Sequence, residues 1–240
     1  NYTMLYQLPM ADLGETAYFA GNYYQSNGPF DSPQNLQRFN VFSKVHTHLS
    51  ARSTLTLDLS AFSSAWDASG QLPERAVASG LIDRWGAIDD FEGGTTGRRN
   101  LNLTFRSKGR NNSDFTAQVY FSRYDFKLFS NFTFFLEDPI NGDMIEQIDD
   151  RQLFGFKSDY SFYHNVGSFL ARATLGGGMR GDDTDVGLWK NTVREREHPL
   201  VDSRVLERNY SLWSREEIFL DAQWQLMLGL RADYFTFNVE

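Results

Sequence analysis

Residues Trp224 to Phe237 read WQLMLGLRADYFTF, and their periodicity decides the fold class. The even positions Trp224, Leu226, Leu228, Leu230, Ala232 and Tyr234 are apolar. The odd positions between them carry Gln225, Met227, Gly229, Arg231 and Asp233. A period of two belongs to an extended strand, whose successive side chains point to opposite faces. The apolar face opens on Trp224 and closes on Tyr234. At about 3.3 Å per residue and a tilt of about 45°, that interval spans roughly 23 Å of membrane normal. Trp224 and Tyr234 are therefore expected to mark the two membrane interfaces.

The same alternation recurs along the chain. Phe39, Val41, Val45 and Leu49 alternate with Arg38, Asn40, Lys44, His46 and His48. Leu55, Leu57, Leu59 and Ala61 alternate with Thr56, Asp58 and Ser60. Leu101, Leu103 and Phe105 alternate with Asn102, Thr104 and Arg106, and the series from Phe169 to Met179 repeats the pattern. Weaker strands are expected at 17–25, 115–130, 151–163 and 205–216. In 115–130 the apolar positions switch from odd to even after Phe121, which predicts either a bulge or exit from the bilayer. The fold class is thus all-β, an antiparallel transmembrane β-barrel segment. A mean hydropathy of -0.47 agrees with this class, because only every second residue of such a strand faces lipid.

The connectors alternate in length. Short links are expected near 50–52, 108–114, 164–167 and 217–222, and longer ones near 26–35, 66–97, 131–150 and 181–204. A membrane barrel has short periplasmic turns and long outer loops, whereas a soluble sandwich has no reason to sort its loops in this way. Nine strands are expected. Bacterial barrels have even strand numbers, and an open edge in lipid leaves backbone groups unpaired. At about 27 residues per strand, a 22-stranded barrel needs roughly 590 residues, so the chain reads as somewhat under half of one.

Ser79 to Phe105, SGLIDRWGAIDDFEGGTTGRRNLNLTF, resembles a stretch of TonB-dependent outer-membrane receptors in which a long surface loop re-enters the barrel as a strand. AYFAGNYYQSNGPFDSPQN and AFSSAWDASGQLPERAV upstream, with LFSNFTFFLEDPINGDMIEQIDDR and GLRADYF downstream, are similar to strands and loops of the same family. The resemblance covers nearly the whole chain. It implies that residues 1–240 are part of the receptor β-barrel domain, in the outer membrane of a Gram-negative bacterium. It further implies active uptake of a scarce nutrient such as a ferric siderophore, with ligand bound at the extracellular mouth. Energy would come from the TonB-ExbB-ExbD complex acting through a plug domain, and no plug, TonB box or barrel-closing strand is visible in this sequence.

The long loop 66–97 holds Trp66, Asp67, Arg75, Arg84, Trp85, Asp89 and Asp90, a mixture of flat aromatics and opposed charges that suits a ligand-gripping mouth. Pairing among themselves to hold the loop folded is the competing reading. Arg194 and Arg196 make the 181–204 loop partly basic, which favours an anionic chelate, although Glu195 and Glu197 adjoin them. The expected ligand contacts are therefore Trp66, Asp67, Arg75, Arg84, Trp85, Arg194 and Arg196. Gly93 and Gly94 are read as a turn before the next strand. His46 and His48 share a face with Lys44 but have no carboxylate or thiolate beside them, so no metal site is assigned. The acidic runs Glu137 to Asp150 and Asp182 to Asp185 match no calcium loop and are read as solvated.

No cysteine is present, which removes disulfides, thiolate metal sites and thiol nucleophiles. A net charge of -8 argues against nucleic-acid binding. No nucleophile elbow or HExxH motif occurs, so the chain is not read as an enzyme, and no cofactor is implied. Asn102 lies inside an alternating strand on its polar face, so the four Asn-x-Ser/Thr sequons are read as chance. Asn1 is followed by no basic and apolar leader, so a signal peptide is read as absent or removed. Two rivals share the strand pattern: a passive porin-like channel wall, and a secreted soluble β-rich protein that binds carbohydrate.

Overall fold

The computed structural model describes residues 1–9 and 16–240. The described residues form ten strands in one antiparallel sheet, in strict sequence order. They are β1 (Tyr2–Pro9), β2 (Thr16–Ser26), β3 (Leu36–Ser50), β4 (Ser53–Asp67), β5 (Gly93–Lys108), β6 (Asp114–Ser130), β7 (Ile145–Val166), β8 (Phe169–Thr192), β9 (Glu195–Phe219) and β10 (Gln225–Val239). Among the described residues a single short helix, α1 (Glu74–Ala78), interrupts the connector between β4 and β5. The sheet is not closed.

Nine strands match the sequence reading, and β1 is the addition. In YTMLYQLP the alternation is short and is interrupted by Leu5, so periodicity did not mark it; its pairing with β2 does. The larger correction concerns 181–204, expected as a loop. β8 and β9 run on through it, with register shifts at Leu188/Trp189 and Lys190/Asn191, to a two-residue turn at Val193 and Arg194, both at positive φ. Polar strands outside a bilayer keep their ladder but lose the apolar alternation by which they were sought. The loops expected at 66–97 and 131–150 likewise shorten to 68–92 and 131–144. Trp66 and Asp67 thus end β4, while Gly93 and Gly94 open β5 instead of forming a turn.

Residues directly opposite one another in a ladder share a face. One such row joins Phe19, Ser43, Leu59, Leu101, Phe121 and Phe154, and the next joins Val45, Leu57, Leu103, Val119, Phe156, Met179, Tyr210 and Tyr234. Apart from Ser43 these side chains are apolar, and most are exposed, with Leu212 at 70% and Leu230 at 78% of full exposure on the same face. The other face carries a polar ladder: Lys44 pairs with Asp58 at 3.3 Å, Asn102 donates to Asp58 at 3.1 Å, and Gln118 donates to Asn102. Ser60, Asn100 and Ser122 continue it. On this face His46 meets the Thr56 hydroxyl at 2.8 Å and the His48 ring edge-on.

Among the described residues only Ala17, Ala76, Met144 and Ala171 are buried apolar side chains. A soluble protein of this length needs a dry interior to offset its ordering entropy. Among the described residues the leucine-bearing face meets no second layer, and extensive contacts run only between strands adjacent in sequence. That arrangement is stable where hydrocarbon replaces the missing layer.

The apolar band ends abruptly. On β6 it runs from Phe115 to Phe121, and Arg123, Asp125 and Lys127 follow on the same face, while Tyr124, Phe126 and Leu128 take the polar face. Register with β5 and β7 is unbroken through this point. The phase change is therefore exit from the band, and no bulge occurs. β8 continues for 13 residues beyond Met179, roughly 40 Å along the strand at about 3.3 Å per residue. The wall thus stands well clear of the band on the side of the long connectors.

On the polar face glycines make room for aromatics. A side chain at Gly176 would collide with the Trp213 indole, which lies across β8 to donate to Asp159 on β7 at 2.7 Å. Gly155 is covered in the same way by Tyr120.

Candidate ligand-binding site

The long-connector end of the wall is held together by interlocked turns. Asp143 accepts hydrogen bonds from the backbone of Leu136, Glu137 and Asp138 and from the Thr133 hydroxyl, at 2.9 to 3.0 Å. Burial pushes its carboxyl up, but these four donors outweigh burial and bring it to about 2. Loop 131–144 is therefore folded around one carboxylate. Loop 68–92 is folded by similar local bonds, with Asp83 accepting from the backbone of Trp85 and Asp89 from that of Phe91. The two loops meet where the Asn131 amide donates to Asp89 at 2.9 Å. Between them lies a recess of about 490 Å³ lined by Arg75, Leu81, Ile88, Phe134, Phe135 and Leu136.

Beneath that junction sits Glu92, buried against Gly70, whose missing Cβ leaves room for the carboxylate. Burial raises its pKa to about 7; the Asn131 backbone donor lowers it in part, and neighbouring Asp89 adds to the rise. A carboxyl whose pKa is raised on folding destabilises the fold as pH climbs from the unfolded value near 4.5 to the folded value near 7, and the penalty is complete above that. Glu92→Gln is expected to make the packing of 68–92 independent of pH across this window. Hydrogen-exchange protection factors of that loop at pH 5 and pH 8, corrected for the intrinsic rise of exchange with pH, check it: the native loop should be less protected at pH 8, and the variant equally protected at both.

The seven residues expected to touch ligand fall into two groups. Arg194 donates to Asp67 at 2.8 Å and to the carbonyls of Phe91 and Glu92 at 2.8 and 3.0 Å, and lies over the Phe129 ring. Asp67 is also bound by Asn35 at 3.0 Å; that amide first, and then Arg194, hold its carboxyl below the usual carboxylate range. Arg196 grips Glu146 with bonds of 2.6 and 2.9 Å and stacks on Trp189. Register places Asp67, Gly93, Phe129, Glu146 and Trp189 in one row on the face that carries the apolar band. These two arginines therefore clamp the β8–β9 tip to the outer side of the wall.

Trp66 lies on the opposite, polar face, packed on Gly94. In loop 68–92, Arg84 stacks on Trp85 at 4.9 Å, Trp85 meets Phe30 edge-on, and Arg75 rims the recess. Neither Arg75 nor Arg84 forms an ion pair among the described residues.

Sequence reasoning missed a further set on the polar face. Arg98 lies over Tyr124 at 5.3 Å, and Arg38 lies over Tyr24 at 5.2 Å. Both guanidinium groups are exposed and have no carboxylate partner among the described residues. Phe126 stacks on Tyr124 with the ring planes 8° apart, and Phe62 is the cross-strand neighbour of Arg98. The available signal was the phase change at 123–128, which places aromatic side chains on a face that elsewhere is hydrophilic.

No protein-family model and no curated protein matches the chain by sequence. Solved structures do match it by fold. The ferripyoverdine receptor of the outer membrane of Pseudomonas aeruginosa, bound to ferripyoverdine, superposes with a TM-score of 0.73 at 10% identity, over 99% of this chain and 35% of that one. The ferric citrate transporter FecA in its unliganded form gives 0.70 at 11% identity, over 99% and 38%. The copper transporter OprC gives 0.61 at 14% identity, over 98% and 36%. The fold is that of a TonB-dependent outer-membrane receptor's barrel wall. The chain spans well under half the length of these structures, which are transport receptors and not enzymes.

Proposed function

We propose that this chain is part of the barrel domain of an outer-membrane receptor that takes up an anionic metal chelate, such as a ferric siderophore, with energy supplied through TonB. The barrel would be completed to 22 strands outside the present segment, and the TonB-ExbB-ExbD complex would act through a plug domain that is not part of it. The transport receptors of the same fold support this reading, since their names cite ferric citrate, ferripyoverdine and copper.

The observation that carries the ligand chemistry is the pair of unneutralised guanidinium groups, Arg38 and Arg98, each stacked on a tyrosine of the polar face above the apolar band. Stacking holds a guanidinium in place while leaving its N–H fork free for a carboxylate or catecholate oxygen. Trp66, Arg75, Arg84 and Trp85 extend the contact surface toward the loops. Asp67, Arg194 and Arg196 serve by fixing the loops that carry it.

Cells that depend on the intact receptor for iron test the assignment. Uptake of labelled ferric citrate, a ferric catecholate and ferripyoverdine is measured with and without a functional TonB complex. At least one chelate should enter only when TonB is intact; entry of every chelate independent of TonB would instead indicate a passive channel wall.

A further inference from the structure

His46 and His48 stand two residues apart on the polar face of β3, close to the short link at 51–52. Sequence alone leaves them as an incomplete metal site, because no carboxylate or thiolate adjoins them in the chain. In the folded sheet the two rings lie edge-on, with centroids 5.4 Å apart and planes at 85°. At a nitrogen–metal distance of about 2.1 Å, two imidazoles that meet one ion at a tetrahedral angle have their centroids roughly 5.2 Å apart. The observed separation therefore lies within the reach of a single ion, with no movement of the backbone.

Each ring offers one nitrogen for coordination. His46 Nδ1 lies 2.8 Å from the Thr56 hydroxyl on β4. A proton on Nδ1 can be given to that oxygen, which leaves the lone pair on Nε2. The Thr56 bond also fixes the rotation of the ring, as the outer partner of a ligating histidine does. His48 Nδ1 is shielded from solvent and has no hydrogen-bond partner among the described residues. Buried polar atoms are nearly always partnered, and a bound ion would supply the missing contact. Lys44, next along that face of β3, is held by Asp58 at 3.3 Å, and register sets Thr16, Thr54, Thr56 and Thr104 around the pair. Arg106 is exposed beyond Thr54 in the row of His48, two strand spacings or roughly 10 Å away, a distance over which salt in the lumen screens it.

We propose that His46 and His48 hold one divalent transition-metal ion of the zinc class on the lumen wall, through Nε2 of the first and Nδ1 of the second, with water in the remaining positions. Imidazole suits zinc and copper, whereas the hard cations calcium and magnesium take oxygen ligands. Two protein ligands leave coordination positions open toward the polar face, so the ion is exchangeable and does not form a closed structural centre. Arg38 stands at the other end of β3, roughly 30 Å away at about 3.3 Å per residue, which separates this site from the proposed chelate contacts. The inference needs the lumenal placement of this face, but neither the chelate nor the energy source of the proposed function.

The full-length receptor, without an affinity tag, is stripped of metal in detergent micelles and titrated with zinc by calorimetry, with calcium and magnesium as controls. The native protein should bind one more zinc ion per chain than His46→Gln or His48→Gln. Thr56→Val should keep that ion but weaken its binding about tenfold, the low end of the range for losing an orienting partner. Should either glutamine variant lose the heat-modifiable mobility of a folded barrel, the zinc absorption-edge spectrum of the native protein decides. Scattering from two imidazoles supports the site, and a spectrum of oxygen ligands alone overturns it. Equal zinc binding by the native protein and both glutamine variants overturns the proposal, as does displacement of the zinc by excess calcium. Entry of every chelate independent of TonB would defeat the transport reading and leave the zinc count unchanged, so the two failures are distinguishable.

Discussion

Arg196→Ala is expected to destabilise the wall above the apolar band by about 3 kcal/mol, the lower end of the range for breaking a buried ion pair. Its partner Glu146 has a side chain only 2% exposed, so removing the guanidinium strands a carboxylate away from water. Burial raises the Glu146 pKa, yet Arg196 and then Lys127 outweigh it and keep the group ionised. Lys127 remains at 3.2 Å in the variant, which is why the loss should not reach the upper end of that range. Hydrogen exchange should show faster opening of 145–150 and 189–199, with the apolar band unaffected. The double variant Arg196→Met with Glu146→Met should recover most of the loss, because two apolar groups need no neutralisation. Unchanged exchange in Arg196→Ala would mean that the β8–β9 tip is held by Arg194 alone.

Arg38→Ala with Arg98→Ala is expected to weaken capture of an anionic ferric chelate by about two orders of magnitude. Each charge-assisted contact contributes about 1.5–3 kcal/mol, and about 1.4 kcal/mol is a factor of ten. Neither arginine neutralises a carboxylate in the described structure, so folding should be little changed and the loss should appear in ligand affinity. Arg38→Lys and Arg98→Lys should rescue only partly, since an ammonium supplies charge but not the planar fork. Equilibrium binding of the chelate taken up in the transport assay checks this. Full affinity in the double alanine variant would move the contact surface to the loop arginines Arg75 and Arg84.

The contrast between these two arginine sets explains how far the sequence could be read. Arg194 and Arg196 stood out because they occur together in a segment without apolar alternation, and both turned out to be bonded within the wall. Alternation with Phe39 placed Arg38 on the polar face, and the Leu101–Asn102 phase does the same for Arg98, but nothing in the chain itself shows that both keep a free fork. A related limit hid the outer halves of β8 and β9. Alternation is imposed by a boundary between oil and water, and where both faces of a strand are wet the boundary and its imprint vanish together.

What the sequence determined by itself was the class of object: strands with one apolar face, a band about one bilayer tall, and connectors sorted into short and long. Those features follow from local chemistry repeated every second residue. Tertiary structure alone decided which charges are spent and which remain. Arg194 meets Asp67 across 127 positions of chain and Arg196 meets Glu146 across 50, and only the register of the intervening strands brings such partners within 3 Å. The register also set Arg99 against Arg123 at the edge of the band, because cross-strand pairing is fixed by the ladder as a whole and not by either residue.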